Sequence, residues 1–220
     1  MTRFNLIRVL TGGITLLILS FSTATQAADT TDGSELNPAF FYYYNGHTVG
    51  YRGFSVSDPD DWGGVGAKNY AATSKGKKVV MQPTDYKASN DAIQVTWARK
   101  KKKGVLSLNG PATDLSKYKD LTALAFEVRV DKSPNKDVQL GMDCGYPCRA
   151  ELSIGRQIRE FKKGEWSLMW MPLNCFKSDN FDLSKISGPF ILSSDGKMEL
   201  SIANIRLERL PEGFKGCAEE

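Results

Sequence analysis

Leu124-Ala125-Phe126-Glu127-Val128-Arg129-Val130 alternates apolar and polar side chains over its last five positions. Successive strand residues point to opposite faces, so Leu124, Phe126, Val128 and Val130 share a buried face while Glu127 and Arg129 face out. A helix would need apolar residues three and four apart; here they recur at every second position.

The same period recurs on both sides of this stretch. Upstream, residues 40–44 are aromatic, residues 51–56 set Phe54 and Val56 opposite Tyr51 and Ser55, and Ile93, Val95 and Trp97 alternate with polar residues. Residues 79–81 and 105–108 add two more apolar runs. Downstream, Val138, Leu140 and Met142 lead into a turn at Cys144, Leu152 and Ile154 leave it, and Trp166, Leu168 and Trp170 share one face before Pro172. Parity assigns Trp97, Trp166 and Trp170 to the core. In the last strand, 197–210, the inward set shifts from Leu200 and Ile202 to Ile205 and Leu207, which a β-bulge near Ala203 and Asn204 absorbs. Helical periodicity persists for no more than a turn, best at 114–119 and 182–186. The reading is all-β, a β-sandwich jelly roll forming a single domain over 38–220, with no internal repeat or linker.

Composition agrees with a globular chain: 220 residues, 41% hydrophobic and 25% charged. The formal charge of +4 excludes a global polyanion-binding surface. A single histidine, His47, excludes zinc sites built from several histidines. At the N-terminus, Arg3 and Arg8 precede a mostly apolar stretch at 10–21 and small residues at 22–28, the pattern of a signal peptide at 1–27 cleaved after Ala27. The mature chain, at about +2, then begins with a flexible leader at 28–37 and is secreted or periplasmic. A retained anchor is the alternative, but the apolar stretch is shorter than the ~20 residues a spanning helix needs, and no stable membrane insertion is expected.

Export favours disulfides among Cys144, Cys148, Cys175 and Cys217, for which three pairings exist. The Gly145-Tyr146-Pro147 turn favours Cys144 with Cys148, leaving Cys175 with Cys217. A four-cysteine zinc cluster is the rival, though the sequence lacks a second close pair.

Carbohydrate sites stack exposed aromatic rings on sugar C–H faces. Trp62 lies in Asp58-Pro59-Asp60-Asp61-Trp62-Gly63-Gly64, read as a loop without apolar periodicity, and Tyr51 points outward from its strand. Both are candidate platforms, with Asp61 and Arg52 as polar partners, although parity places Arg52 with Phe54. Asp58, Asp60 and Asp61 also suggest a structural calcium, though without EF-hand spacing; no other cofactor is implied. The run Arg99-Lys100-Lys101-Lys102-Lys103 reads either as a solvated hairpin tip or as a contact for an anionic polymer. It has no interleaved aromatics, so nucleic acid is not expected as a partner. No nucleophile elbow, phosphate loop or zinc-protease motif occurs, and no enzyme activity is expected.

Three segments carry a family resemblance. Residues 138–148 (VQLGMDCGYPC), 164–176 (GEWSLMWMPLNCF), and 188–207 beginning Gly188-Pro189-Phe190 and ending through Leu200-Ser-Ile-Ala-Asn204-Ile-Arg-Leu207 resemble the galactose-binding-like C-terminal domain of ExoP-type exo-β-glucanases of glycoside hydrolase family 3. Gln94-Val-Thr-Trp97 and Asp114-Leu-Ser fit the same order, so the match spans roughly 94–207. The resemblance implies a jelly roll of the carbohydrate-binding-module type, non-catalytic in its relatives and free-standing here, since the catalytic barrel has no counterpart in this sequence. The expected function is an exported module that binds a polysaccharide, β-glucan-like, by stacking and hydrogen bonds. The alternative is an envelope adaptor or structural protein that contacts a protein partner or an anionic polymer through the basic hairpin.

Overall fold

The computed structural model describes residues 36–214, 216 and 217, so the signal peptide (1–27) and most of the leader (28–37) lie outside the described residues. The strands run β1 (Phe41–Tyr44), β2 (His47–Thr48), β3 (Gly53–Asp58), β4 (Asp61–Gly66), β5 (Ala72–Thr73), β6 (Val79–Thr84), β7 (Ala92–Trp97) and β8 (Gly104–Asn109). They continue with β9 (Thr122–Lys132), β10 (Gln139–Asp143), β11 (Arg149–Ser153), β12 (Trp166–Pro172), β13 (Gly188–Ser194) and β14 (Met198–Arg209). A short helix, α1 (Gly155–Glu160), follows β11. The segments read as brief helical turns hold 3-10 turns at Ser116–Tyr118 and Leu183–Lys185, whereas α1 has no sequence signal longer than its own turn and a half.

All pairings are antiparallel and form two sheets. One has eight strands, β12-β9-β14-β7-β6-β5, with β1 on β14 and β2 on β1; the other has six, β11-β10-β13-β8-β3-β4. The decisive stretch lies in β9, and Leu124, Phe126, Val128 and Val130 are fully buried as its parity requires. Phe126 meets Phe190 of the opposite sheet edge to face at 5.0 Å, and Tyr43 meets Phe54 across the same interior at 5.2 Å. Such rings bury large areas and lock the relative position of the layers. The bulge falls where the phase shift places it. Ala203 pairs with Glu127 and Arg206 with Ala125, one residue more on β14 than on β9, with Asn204 at φ 48°. That extra residue keeps Leu200, Ile202, Ile205 and Leu207 all turned inward.

Strand β12 corrects the sequence reading. Trp166, Leu168 and Trp170 do share a face, but it is the outer one: Met169 is buried, while Leu168 is 44% and Trp170 36% exposed. β12 is an edge strand paired only with β9, and both of its faces carry apolar residues, so alternation gives the parity without saying which face is in. The outward rings are covered from the side instead. Trp166 lies against Tyr86 at 4.7 Å and under the Arg129 guanidinium at 5.1 Å, and Trp170 lies against Phe214 at 5.1 Å.

The bridges are Cys144–Cys148 and Cys175–Cys217, the pairing favoured from the turn. The second spans 42 residues and tethers the segment that carries Phe214. Closing a loop of that length removes unfolded-state entropy worth up to about 4 kcal/mol. A Cys175→Ser, Cys217→Ser double variant should therefore unfold at lower urea with a loss of up to that size. An unchanged midpoint would show that the bridge does not constrain the unfolded chain.

Candidate functional site

The register of the six-stranded sheet sets its outward side chains in rows across the strands. One row runs Gly66, Ser55, Ser107, Ile191, Gly141 and Glu151 from β4 to β11. The next carries Ser57, Val105, Ser193, Gln139 and Ser153. Serine and glycine keep this floor low. Two aromatic residues stand at its margins: Trp62 on β4, 59% exposed, and Tyr146 at the tip of the Cys144–Cys148 loop, 96% exposed. Both line one cavity of about 650 Å³, together with Ser55, Ser57, Ser107 and Asn109.

Charged groups edge the same cavity. Arg149 Nη2 pairs with Asp143 Oδ2 at 2.6 Å and Nη1 lies 3.6 Å from Glu151 Oε1; Lys103 Nζ lies 3.5 Å from Glu151 Oε2. Asn109 Nδ2 donates to Ser55 Oγ at 3.3 Å. Two buried polar atoms of this face, Glu151 Oε1 and Ser193 Oγ, have no hydrogen-bond partner. Buried polar atoms are paired in the great majority of cases; Glu151 Oε1 faces the Arg149 guanidinium at 3.6 Å, which leaves Ser193 Oγ as the one of the two without a partner. Exposed rings beside hydroxyl, amide and guanidinium groups match what a sugar offers: apolar C–H faces for the rings and hydroxyls for the polar groups.

Trp62 owes its position to Asp58. This buried carboxylate, at the end of β3, accepts hydrogen bonds from Asp60 N (3.1 Å), Ser74 Oγ (2.6 Å), Gly76 N (3.1 Å) and Lys78 N (3.2 Å). Burial by itself raises its pKa, but the four donors outweigh burial and hold it at about 2. Of the segment read as a loop, Asp58 ends β3, residues 59 and 60 form a turn, and Asp61–Gly64 belong to the edge strand β4. It carries more residues than its partner between the Val56–Val65 and Asp58–Asp61 pairs, and Gly64 takes φ +78° in that bulge, where a side chain would be strained.

Of the four residues proposed from sequence, only Trp62 lines the cavity. Asp61 Oδ1 accepts from Gly63 N at 3.0 Å within its own turn. Tyr51 is 98% exposed but sits in a bend at φ 58° before β3 and does not line the cavity. Arg52 requires correction as a ligand partner. It is buried, with its guanidinium donating to Val49 O and Thr113 Oγ1 and lying 5.0 Å over the Tyr42 ring, so it braces the core, as its parity with Phe54 indicates. Among the described residues Asp58, Asp60 and Asp61 form no three-carboxylate cluster: Asp58 and Asp60 both approach Gly76, but Asp58 faces its four donors, Asp60 pairs with Lys102 at 2.6 Å, and Asp61 is held within its own turn. Tyr146 was missed. Its signal is the five-residue loop closed by cysteines, too small to fold a ring back into a core.

Comparison with known proteins fits this architecture. A family model described as galactose-binding domain-like matches residues 61–207. The chain belongs to the galactose-binding domain-like family. Among solved structures, this family member is similar to the exo-1,3/1,4-beta-glucanase ExoP from a Pseudoalteromonas species, with TM-score 0.65 and 20% identity over 79% of the chain. It spans only 21% of that enzyme. It also resembles the separately solved extra C-terminal domain of the same glucanase, with TM-score 0.62 and 18% identity over 82% of this chain and 99% of that one. A family 30 carbohydrate-binding module of a cellulosomal cellulase from Clostridium thermocellum aligns with TM-score 0.54 and 12% identity over 77% of this chain and 96% of that one. No curated protein matches the chain.

The Asp58 anchor has a defined pH signature. Because its folded pKa, about 2, lies below the ~3.9 of an unfolded aspartate, its stabilisation is complete above the unfolded value and is lost as pH falls through the folded one. Replacing it in Asp58→Asn should cost on the order of 3 kcal/mol at neutral pH. Urea unfolding of both proteins should show the gap narrowing from about pH 4 downward. A gap that widens with acid would contradict the anchor.

Proposed function

We propose that this protein is an exported, non-catalytic carbohydrate-binding module that holds a β-linked polysaccharide, glucan-like, along the groove over its six-stranded sheet. The observation that carries this reading is the placement of Trp62 and Tyr146 on one cavity floored by serine and glycine. Rings on sugar faces would supply most of the affinity, with Asn109, Arg149 and the floor serines selecting hydroxyls. Similarity to the glucanase's extra domain and to the family 30 module supports a glycan ligand, and two disulfides suit an oxidising compartment outside the cytosol. Two carboxylates beside the aromatic cavity, Glu151 and Asp143, are both engaged by Arg149, and this favours binding over hydrolysis there. The adaptor reading, in which the basic run alone makes the contact, has less support, and that run is no hairpin tip, because it crosses from β7 in one sheet to β8 in the other. Three of its five cations are already engaged, Lys100 by the Gly76 carbonyl, Lys102 by Asp60 and Lys103 by Glu151.

Affinity electrophoresis through gels containing β-glucans tests the reading. Trp62→Ala and Tyr146→Ala should each weaken retardation about tenfold or more, the worth of a buried aromatic contact. Both side chains are exposed, so neither substitution should alter the unfolding midpoint. Unchanged mobility of both variants on every polysaccharide would remove the site, and no retardation of the wild type would remove the function.

A further inference from the structure

The groove does not end at the floor serines. Lys103, which lines the cavity of Trp62 and Tyr146, also lines a neighbouring cavity of about 300 Å³ that holds Ser193, Gln139, Lys136 and the carboxylates Asp137 and Asp195. Lys103 and Lys136 in turn line a third, of about 700 Å³, walled by Arg99, Lys101 and Lys197. Three depressions thus share walls and form one path, from the aromatic residues at one end to a basic basin at the other.

The charge along this path is uneven. Near the aromatics the cations are matched, Arg149 with Asp143 and Lys103 with Glu151. In the basin, no carboxylate among the described residues pairs with Arg99, Lys101, Lys136 or Lys197, although Asp195 is part of the wall. Between the two ends lies Ser193, 0% exposed, whose Oγ has no partner. The basin is also held in shape. The buried ammonium of Lys78 donates to the carbonyls of Ala98 and Lys100 on the basic turn and of Asp195 and Gly196 on the turn facing it, at 2.7–3.1 Å. A solvated crossover between the two sheets kept basic only for solubility would need no such brace.

We infer that the ligand of the groove is an acidic polysaccharide, a β-linked chain carrying carboxylate or sulfate groups, whose sugars stack at Trp62 and Tyr146 while its charged groups sit over Arg99, Lys101, Lys136 and Lys197. The inference rests on the groove reading above and adds the charge of the ligand. A neutral chain would use the aromatic end only. A polyanion without stackable sugars would use the basin only.

A matched pair of probes separates these cases: a neutral mixed-linkage β-glucan, and the same glucan oxidised at C6 to the uronate. At low salt the oxidised chain should be retarded roughly tenfold more than the neutral one, the sum of several exposed charge contacts. That excess should vanish at ~1 M salt, where screening acts within a few Å. It should also vanish in Arg99→Gln, Lys101→Gln, Lys136→Gln, Lys197→Gln, checked for an unchanged unfolding midpoint, while Trp62→Ala weakens both chains. Equal retardation of the two glucans overturns the inference and leaves the groove reading standing. Retardation of neither removes both. Retardation of the oxidised chain that Trp62→Ala leaves unchanged also overturns it, because the surface would then be a general polyanion contact.

Discussion

Two buried charges on either side of one short turn hold the functional end of this sandwich together. Asp58 and Lys78 touch through a single hydrogen bond, Lys78 N to Asp58 Oδ2 at 3.2 Å, yet each reaches a different part of the chain. The carboxylate fixes the start of β4, and with it Trp62; the ammonium fixes the turns after β7 and β13. An ammonium has three donors, and Lys78 has four carbonyls within reach, so its charge is fully solvated by peptide groups in place of water. Burial pulls its pKa below the ordinary lysine value, and the nearby Asp195 carboxylate opposes that pull. Apolar packing cannot fix loops, which present few apolar groups to bury. Two buried charges, each satisfied chiefly by backbone groups, do it here.

The layers themselves were legible from alternation. Strand β9, the bulge in β14 and the two disulfides follow from period-two patterning and from a turn short enough to join two cysteines. The edge strands were not. β12 has apolar residues on both faces, and β4 is half glycine, so neither offers the contrast that tells inside from outside. Pattern reading depends on a polar face, and edge strands covered by loops, tails or ligand rims lack one.

The site was legible only in part, for a related reason. Trp62 stood out because no apolar neighbours explained it. Arg52 read as a polar ligand partner beside Tyr51, but a guanidinium over Tyr42 with two acceptors can be buried, and its parity with Phe54 already pointed there. The groove floor is invisible in the sequence altogether. Ser55, Ser107 and Gly141 lie far apart along the chain and become neighbours only through strand register.

Tyr146 stands apart from all of this. It belongs to no strand row and buries almost nothing, and the loop that presents it is closed by its own disulfide. Its identity is therefore decoupled from the folding of the sandwich: another side chain at the loop tip would change what the groove prefers without a cost in the core. A loop of this kind lets recognition diverge between relatives while the scaffold beneath it stays fixed.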